Sequence, residues 1–536
     1  MKADPKSPAR RRVLKGGMAA ATALALAGCE QEPSGTSGGA NMARGHRLRD
    51  GTFPEPEREE KIGILIAGGG IAGLAAGWRL AEAGFDDVRL IELEDSVGGN
   101  ARNGRNAVSA YPLGAHYLPI PNEEARGLRA MLRQFGIITG ERGGRPIYDP
   151  QQLCADLQER LLWQGRWQEG LIPRTGLTPR DKADLDAFDR AMKGFSVRRD
   201  TAGRPAFAIP MAYSARDPDL LALDRISFAA WLDQQGWTSP VLRAHVRYAC
   251  RDDYGTEPAE VSAWAGIHYF ASRRGFVAEG SGDNELTWPE GNGRLVRLMT
   301  QCLPHRIETG QIAYRAKKEE SGATVDVFDT INNVSVRYRA NAVILAMPHF
   351  VASRVLGHPS APGYSYAPWL VANVTVDRPP GGKGSPLAWD NVSASSASLG
   401  YVVATHQSDS RQGPTVLTWY MPLSDMPPAS ARRLLLDRSD ADWRRLVRDD
   451  LLTMNPDLDG AIQSIDLWKW GHAMIRPTPD FLWQVAPSQR AAVKPPFFRA
   501  HSDMSGLSLF EEAHYHGMAA AESALSLLGH SFESLI

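Results

Sequence analysis

The clearest alternation of hydrophobic and polar segments lies between residues 61 and 100. A short apolar run, Ile62 to Ala67, has the length of one buried strand. The next segment, Ile71 to Ala83, is rich in Ala, Leu, Arg and Glu and predicts a helix that ends at Gly84. A second apolar run, Val88 to Ile91, predicts another strand. The order strand, helix, strand is typical of an α/β fold.

Three glycines join the first strand to the helix, and an acid ends the second strand. Their G-x-G-x-x-G spacing gives a tight turn, a close approach of a pyrophosphate to the backbone, and close packing of helix on strand. The helix N-terminus offers free N–H groups to phosphates, and the acid can accept hydrogen bonds from a ribose. The cofactor-binding residues predicted here are Gly68, Gly70, Ile71, Ala72, Gly73 and Glu92.

A glycine pair, Gly98 and Gly99, follows within ELEDSVGGNAR and predicts a second turn against the phosphates or ribityl chain of a dinucleotide. Together the two motifs resemble those of the flavin-dependent amine oxidase superfamily, which also contains phytoene-desaturase-like enzymes. The resemblance implies that the dinucleotide is FAD. The usual pattern has Arg directly after the glycine pair, whereas this chain has Asn100, with Arg102 two positions further on. All four residues are assigned to the cofactor site.

Length and charge limit the other classes of function. A chain of 536 residues predicts two connected domains, and 43% hydrophobic with 23% charged residues is ordinary for a soluble globular protein. The formal net charge of −1 gives no reason to expect a nucleic-acid partner. No window after residue 30 has the unbroken apolar length of a membrane span.

The first 29 residues are predicted to be a targeting signal. The basic run Arg10 to Arg12 before an apolar segment resembles a twin-arginine export signal, and Leu26 to Cys29 resembles a bacterial lipobox. The expectation is export in the folded state and lipid anchoring at Cys29 on the periplasmic face of a bacterial membrane, inner or outer. Residues 30–60, rich in Gly, Ser, Pro and charge, predict a flexible linker.

No metal site is predicted. Without Cys29, three widely spaced cysteines remain, and this spacing indicates neither a metal cluster nor a disulfide framework. The sequence does not decide whether two of them form one disulfide. His514 and His516 are two apart on a predicted helix, so they diverge and make a poor metal pair. One of them is expected to face a cavity.

Residues 123–301 are mostly helical in pattern. Ile226 to Gln235 and Ser239 to Cys250 predict two of these helices. The aromatic segment Ser262 to Phe270 is either a wall of a substrate cavity or helix core, with core packing favoured. The charged run Arg251 to Asp253 is either a substrate clamp or, the preferred interpretation, a solvated cluster.

The C-terminal segment Arg499 to Leu525 resembles the second FAD signature of the same superfamily. There an acid binds the ribityl chain and a helix N-terminus points at the flavin pyrimidine, stabilising its negative charge when reduced by about 1 kcal/mol. Leu509 replaces the tyrosine of the monoamine-oxidase aromatic cage, which argues against simple aromatic monoamines. The resemblance also places part of segment 104–118 and the backbone near Ile312 beside FAD. These assignments cover Gly114, Ala115, His116, Ile312, Asp503, Ser508, Phe510 and Glu511.

Four residues are candidates for the reacting side of the flavin. Asn373 aligns where many amine oxidases have a lysine that holds a water against flavin N5, so its presence predicts slow reoxidation by oxygen; an ordinary strand residue is the alternative. Trp470 and His472 lie in LWKWGHAMIRP, which the resemblance places beside the flavin, and Tyr515 lies on the C-terminal helix.

The predicted fold is α/β, with a Rossmann-like FAD-binding domain of the amine oxidase type interleaved with an α+β substrate domain. The FAD-binding domain is expected to comprise residues 61–125, 286–355 and 476–536. The substrate domain is expected to comprise a mostly helical segment, 126–285, and a strand-rich segment, 356–475.

The predicted function is FAD-dependent oxidation of an amine, with a resemblance to polyamine dehydrogenases in RDDYG and SAWAGIHYF. Hydride transfer to flavin N5 would give an imine and then an aldehyde, and a quinone, a periplasmic carrier or oxygen would take the electrons. Two alternatives stay open. One is desaturation or isomerisation of an apolar polyene-like substrate, and the other is a non-catalytic FAD-containing binding or assembly subunit in the periplasm.

Overall fold

The structure is a computed structural model of the chain that describes residues 34–277, 285–359, 361–408, 412–488 and 493–536. The targeting signal, with Cys29, lies outside these residues. The helices are α1 (Met42–Asp50), α2 (Ile71–Glu82), α3 (Arg126–Gln134), α4 (Pro179–Val197), α5 (Pro218–Ala222), α6 (Phe228–Gln234), α7 (Pro240–Tyr254), α8 (Ala263–Ala271), α9 (Gly293–Gln301), α10 (His349–Val355), α11 (Pro428–Asp437), α12 (Asp440–Met454) and α13 (Phe510–Leu527).

The strands, in chain order, are β1 (Ser37–Gly39), β2 (Arg58–Ala67), β3 (Val88–Ile91), β4 (Asn103–Arg105), β5 (Ala110–Pro112), β6 (Tyr117–Pro119), β7 (Ile138–Arg142), β8 (Arg145–Tyr148), β9 (Glu159–Trp163), β10 (Arg166–Glu169), β11 (Glu285–Thr287), β12 (Ile307–Glu308), β13 (Gln311–Lys318), β14 (Ala323–Asp329), β15 (Val334–Leu345), β16 (Tyr366–Val376), β17 (Asp390–Ser393), β18 (Tyr401–Val403), β19 (Thr415–Pro422), β20 (Ile462–Ile475) and β21 (Phe497–Arg499). The predicted α/β class is confirmed.

One sheet carries the glycine turn. Its strand order is β12-β3-β2-β15-β14-β13, with β21 also beside β15. Strands β2, β3, β12, β15 and β21 pair in parallel, so their carboxyl ends meet at one edge, where the turn after Ala67 lies. Strand β15 is the longest of this sheet, with 12 residues, and its residues 336–345 lie beside β2.

Helix α13 brings the C-terminal motif to this sheet by packing across α2. Gly517 permits the approach, because a Cβ there would lie 2.2 Å from the carbonyl oxygen of Ala72. Inside this contact, buried Arg79 donates to Glu522 across 2.9 Å. The two motifs that are farthest apart in the sequence therefore share one core.

The second sheet has the order β1-β20-β16-β19-β18-β17-β9-β10, and it is largely antiparallel. One face of β16 packs with β19 and β20 against α11 and α12 in an apolar core. The other face carries Ala367, Trp369 and Val371, which lie in a separate aromatic cluster with Tyr420 and Trp470. This second face looks toward the first sheet.

Helix α7 completes the frame of the site. The Ser239 side chain caps its N-terminus by accepting from the Leu242 N–H, and Gly255 ends it in the left-handed conformation at φ 57°. The helix runs four residues beyond the predicted end at Cys250. Those last four residues contain Asp252 and Asp253.

The prediction that residues 30–60 form a flexible linker is wrong for its described part. Residues 37–39 form β1, which pairs in parallel with β20, and residues 42–50 form α1. Residues from 58 onward already belong to β2. The polar composition suggested a linker, but composition carries no information about backbone hydrogen bonds with a free sheet edge, and such bonds hold β1. Among the described residues, no helix combines the length and the apolar character needed to cross a bilayer.

Candidate functional site

The first glycine turn has the geometry that its spacing predicts. Gly68 has a φ of 117°, and a Cβ there would lie 2.1 Å from the carbonyl oxygen of Ala346. A Cβ at Gly73 would lie 1.9 Å from the Gly68 carbonyl oxygen, so Gly73 serves the close packing of α2. Gly70, by contrast, has a negative φ and faces open space, with only Gly99 Cα within 4.0 Å of an added Cβ.

The second glycine turn lies directly against the first. Gly98 donates its N–H to the Gly69 carbonyl oxygen at 2.7 Å, and a Cβ on Gly99 would lie 3.2 Å from Gly70 Cα. Both residues of the pair have positive φ. Together the two turns form a backbone-lined cradle at the N-terminus of α2, which suits a pyrophosphate.

Glu92 closes one end of this cradle. Its Oε2 accepts from the Gly69 N–H at 2.6 Å and its Oε1 from the Glu94 N–H at 2.8 Å. Burial raises the pKa of Glu92, and the two backbone hydrogen bonds oppose that rise. The carboxyl therefore braces the glycine turn as well as facing the cavity.

An elongated cavity of about 310 Å³ runs from Glu92 over both turns to the start of α13. A pocket lined by a glycine cradle and two helix N-termini fits a dinucleotide that is anionic at its centre. Of the predicted cofactor and catalytic residues, those that line it are Gly68, Gly70, Ile71, Ala72, Glu92, Gly98, Gly99, Asn100, Ala115, His472, Asp503, Ser508 and Phe510.

Asp503 is held rigidly at the far end of this cavity. Its Oδ2 accepts from the His349 N–H at 2.7 Å and from the Tyr366 hydroxyl at 2.6 Å. Burial works to raise its pKa, but His501 and these hydrogen bonds bring the pKa below the usual value. The carboxylate is thus ionised and can accept hydrogen bonds from a ribityl chain.

A second cavity, of about 140 Å³, opens from the first. Aromatic side chains form much of its wall. His116 stacks on Tyr420 at 4.5 Å between ring centroids, and the Trp470 indole donates to the Leu113 carbonyl oxygen at 2.6 Å. Burial lowers the pKa of His116 to about 4, so its imidazole is neutral. The residues that line both cavities, and thus mark their junction, are Asn100, Ala115, Ala473, Ser508, Leu509 and Phe510.

Three carboxyl groups line the second cavity, and Arg273 is the one Arg or Lys among the described residues of its wall. Arg273 donates to both oxygens of Asp253 at 2.8 Å. Asp252 instead receives the Tyr117 hydroxyl at 3.4 Å. Burial and the nearby Asp253 raise the pKa of Asp252 to about 7, and burial raises that of Glu511 to about 7.

Further carboxyl groups lie behind this wall. Glu285 at the start of β11 and Asp390 at the start of β17 both interact electrostatically with Asp252 and with Glu159. Burial raises the pKa of Glu285 to about 8 and also raises that of Asp390, which accepts from the Tyr248 hydroxyl at 3.1 Å. Carboxyl groups this close repel one another when ionised, so a bound cation would stabilise their ionised forms.

One further polar group faces the second cavity. Asn292 is 1% exposed, and its Nδ2 donates to the Tyr117 carbonyl oxygen at 2.9 Å. Its Oδ1 has no hydrogen-bond partner. A buried acceptor without a partner costs free energy, so a ligand with N–H groups would satisfy it.

Sequence comparison identifies the architecture. A profile of the family described as flavin containing amine oxidoreductase matches residues 71–525. The chain belongs to this family. It is accordingly an FAD-dependent oxidoreductase, and the larger cavity is where the residues suit FAD. A curated relative, polyamine oxidase 7 of Oryza sativa subsp. japonica, is 38% identical over 61 residues, which cover 11% of this chain and 13% of that protein.

Solved structures share the fold at low identity. Putrescine oxidase bound to putrescine superposes with a TM-score of 0.64 at 17% identity, covering 87% of this chain and 100% of that one. Cyclohexylamine oxidase from Brevibacterium oxydans IH-35A gives 0.61 at 16%, covering 88% and 100%. A fatty acid isomerase from P. acnes also gives 0.61 at 16%, covering 86% and 98%. One fold therefore serves neighbours named for different reactions.

Several residues assigned to the amine oxidoreductase cofactor lie elsewhere. Gly114, His116 and Glu511 line the second cavity, as does the catalytic candidate Trp470. Arg102 is buried beside both cavities, where it bonds Glu94 at 3.2 Å and its guanidinium lies 5.2 Å from the Trp470 ring.

Ile312 does not line the larger cavity; its neighbours Gln311 and Ala313 do. The Ile312 side chain is fully buried. Alternate residues of a strand face opposite sides, so an alignment error of one position selects the wrong residue.

Two of the catalytic candidates, Asn373 and Tyr515, do not line either of the two cavities. Asn373 is a buried strand residue that accepts from the Thr418 hydroxyl at 2.8 Å and lines neither cavity. Tyr515 packs edge-on against Tyr213, with ring centroids 5.6 Å apart, and lines a separate small pocket. No lysine occurs among the described residues that line the two cavities.

The alternatives left open in the helical region also divide. The aromatic segment Ser262 to Phe270 is core, as favoured, since Trp264 and His268 are fully buried and stacked at 5.0 Å. Asp252 and Asp253 are not a solvated cluster: they line the second cavity. The high local density of charge in the sequence therefore led to the wrong expectation that these two residues are solvated.

Neither His514 nor His516 lines either main cavity, although one was expected to. Cys154, Cys250 and Cys302 are free thiols. The site residues that the sequence analysis missed are Arg273, Asn292, Trp369 and Tyr420. A signal existed for two of them. Arg273 follows the two segments RDDYG and SAWAGIHYF within a few residues of the second, and Asn292 lies in the loop before α9.

Proposed function

We propose that the protein oxidises a linear aliphatic amine that carries a second cationic nitrogen, as in diamines and polyamines. The observation that carries this proposal is the excess of carboxyl groups over basic side chains in the cavity that adjoins the FAD cavity. A cation held there by Asp252 or Glu511 would supply the positive charge that compensates these carboxylates. The neighbours named for putrescine and polyamine oxidation support the same substrate class.

The reacting nitrogen has different surroundings from the distal one. At the junction of the cavities the substrate would meet Leu509, Phe510 and Ala473, which are apolar. An ammonium loses its hydration there, so its pKa falls and the neutral amine is favoured. The neutral amine has the lone pair needed when the adjacent carbon gives up hydride.

When bound, FAD supplies the two-electron acceptor at N5. The substrate loses a C–H hydride and an N–H proton to become an imine, and water then releases an aldehyde and an amine or ammonia. His472 lines the larger cavity, and burial lowers its pKa to about 4, so its imidazole would be neutral toward a bound flavin and substrate. The chain's contribution is binding, orientation and exclusion of water.

The electrons then leave for a quinone, a periplasmic carrier or oxygen. The cavity walls supply no lysine among the described residues, which supports slow reaction with oxygen. Reduced protein mixed with air-saturated buffer and, separately, with a soluble quinone distinguishes these acceptors. Faster reoxidation by oxygen than by quinone would contradict the preference for a carrier.

The test of the substrate class uses two molecules of the same length. FAD-loaded protein is mixed anaerobically with 1,4-diaminobutane or with n-butylamine, and loss of the oxidised flavin absorbance is followed. The diamine should bleach the flavin at least about tenfold faster at low concentration, the effect of one charge-assisted contact. Equal rates would remove the second cation from the proposal.

The same experiment separates the alternatives. Bleaching or isomerisation only with polyenes would support the apolar substrate, although carboxyl groups line the cavity. A flavin that no amine or polyene reduces would support the non-catalytic subunit. Amino acids form a third set of test compounds, and absence of flavin bleaching by them would exclude a substrate that bears a carboxylate.

We also propose export by the twin-arginine pathway and lipid anchoring at Cys29. The basic run and the lipobox support this. Replacement of Arg10, Arg11 and Arg12 by lysine should leave the protein inside the cell, and Cys29→Ala should release it from the membrane fraction. Unchanged fractionation of both variants would contradict the proposal.

A further inference from the structure

Residues 34–51 lie before the first strand of the FAD-binding sheet and outside the family profile, which begins at residue 71. We call this segment the strap. Its first part, β1, extends the second sheet by pairing with β20, with Gly38 opposite Trp468. Thr36 fastens it further, because its N–H and its hydroxyl both donate to Asp466 at 2.7 Å.

The second part of the strap, α1, crosses to the FAD-binding sheet. The Asn41 N–H donates to Glu94 at 2.8 Å. Arg44 donates to the Leu93 carbonyl oxygen at 3.0 Å and pairs with Asp95 at 2.6 Å. These contacts hold the loop that directly follows Glu92. The strap therefore spans the two sheets at the end of the FAD cavity where Glu92 lies.

Leu48 lies one turn after Arg44 on the same face of α1 and forms part of the FAD cavity wall. Leu93 and Gln311 line the same cavity, and the Gln311 N–H donates to the Glu92 carbonyl oxygen at 2.8 Å. Glu92 is the acid that meets the adenosine ribose in a glycine fingerprint of this kind. Leu48 is thus placed against the adenosine half of FAD.

The strap is docked more loosely than the elements beneath it. No residue of α1 is buried, and its inward face is mostly polar, so lifting it exposes little apolar surface. Elements with few buried apolar contacts open at a lower free energy than the whole fold. Helix α1 can therefore lift while both sheets remain folded.

We propose that the strap is a retention lid for FAD, in which Leu48 covers the adenosine half and Arg44 locks the helix to Asp95. FAD enters and leaves when α1 lifts, and the closed strap slows its release. The proposal needs only the FAD site and does not depend on which substrate the enzyme oxidises.

The test measures FAD release directly. Holoenzyme is diluted into a large volume of buffer that contains charcoal as a trap for free FAD. The loss of protein-bound flavin is then followed after rapid filtration. Leu48→Ala and Arg44→Ala should each release FAD about fivefold faster, which corresponds to about 1 kcal/mol. Met42→Ala is the matched control, because Met42 is on the same helix with 48% exposure and should release FAD at the wild-type rate.

Two further variants make the result decisive. Asp95→Ala should accelerate release by no more than Arg44→Ala, which also removes the hydrogen bond to the Leu93 carbonyl oxygen, and the double variant should be no faster than Arg44→Ala. The unfolding temperature of the apoprotein should change little in all of them. Wild-type release from Leu48→Ala and Arg44→Ala would overturn the proposal, as would equal acceleration by Met42→Ala.

Discussion

Arg273 donates hydrogen bonds to both carboxylate oxygens of Asp253 at 2.8 Å. This guanidinium of the second cavity is therefore paired with Asp253 and not with the adjacent Asp252. Asp252 lies on the same wall with only a long hydrogen bond from Tyr117. Two neighbouring acids at the end of one helix thus have different roles: Asp253 is structural, and Asp252 is available to a ligand.

This difference predicts the effect of Asp252→Asn. The variant should raise KM for 1,4-diaminobutane by about tenfold to a hundredfold, since a charge-assisted contact contributes about 1.5–3 kcal/mol. The rate with n-butylamine should change by less than about twofold. Steady-state kinetics with both amines checks this, and Asp186→Asn on the exposed face of α4 is the control. Equal losses with both amines would contradict a role in binding the second nitrogen.

The buried titratable groups predict that stability falls as the pH rises above neutral. Burial raises the pKa of Asp252 and Glu511 to about 7 and of Glu285 to about 8, so the folded protein holds protons that the unfolded chain has released. Stability from these groups is present at low pH and is lost as the pH rises toward 8. Histidines act in the opposite sense below pH 6.5, because burial lowers the pKa of His116, His245, His349 and His472 to about 4.

The unfolding temperature of the ligand-free protein should therefore fall from pH 7 to 8.5, the range in which the raised carboxyl groups lose their protons. Asp252→Asn should flatten the alkaline side, by at most about 1.4 kcal/mol per pH unit for one proton. Thermal unfolding followed by circular dichroism measures both effects. An alkaline side as steep in the variant as in the wild type would show that Asp252 does not titrate in this range.

The glycine turn allows folding and FAD binding to be separated. Gly70→Ala should fold normally, because its φ is negative and the new Cβ meets nothing closer than 4.0 Å. That Cβ would occupy the cavity, so FAD should bind at least about tenfold more weakly, the cost of overpacking being about 1–3 kcal/mol. Flavin titration and apoprotein unfolding measure the two properties. Gly68→Ala is the contrast, since its Cβ would collide with Ala346 and should destabilise the apoprotein as well.

The contact between α2 and α13 predicts a large stability effect from one buried carboxylate, because Glu522 also accepts from the Ser534 hydroxyl and the Leu535 N–H. Glu522→Gln removes the buried partner of Arg79 and should reduce the free energy of unfolding by about 3–5 kcal/mol. Glu82→Gln removes the 41% exposed partner of the same guanidinium and should cost less than about 1 kcal/mol. Denaturant unfolding of both variants checks this. Similar losses in the two would contradict the importance of burial here.

The sequence by itself determined the elements of the nucleotide site. The strand, glycine turn, helix and acid from Ile62 to Glu92 lie within one continuous stretch, and each is specified by local preferences: apolar length, φ of glycine and helix capping. The same holds for the C-terminal helix that begins beside Ser508. Local signals of this kind are sufficient to indicate a dinucleotide, and the resemblance to the amine oxidase superfamily implied that it is FAD.

Only the tertiary structure decided what surrounds the substrate. Asp252, Glu285 and Asp390 come from α7, β11 and β17, and their raised pKa values arise from burial together, which none of the three segments encodes alone. The same reason explains why a polar N-terminal segment was mistaken for a linker. Its strand and helix are stabilised by β20 and by Asp95, residues that become its neighbours only when the chain folds.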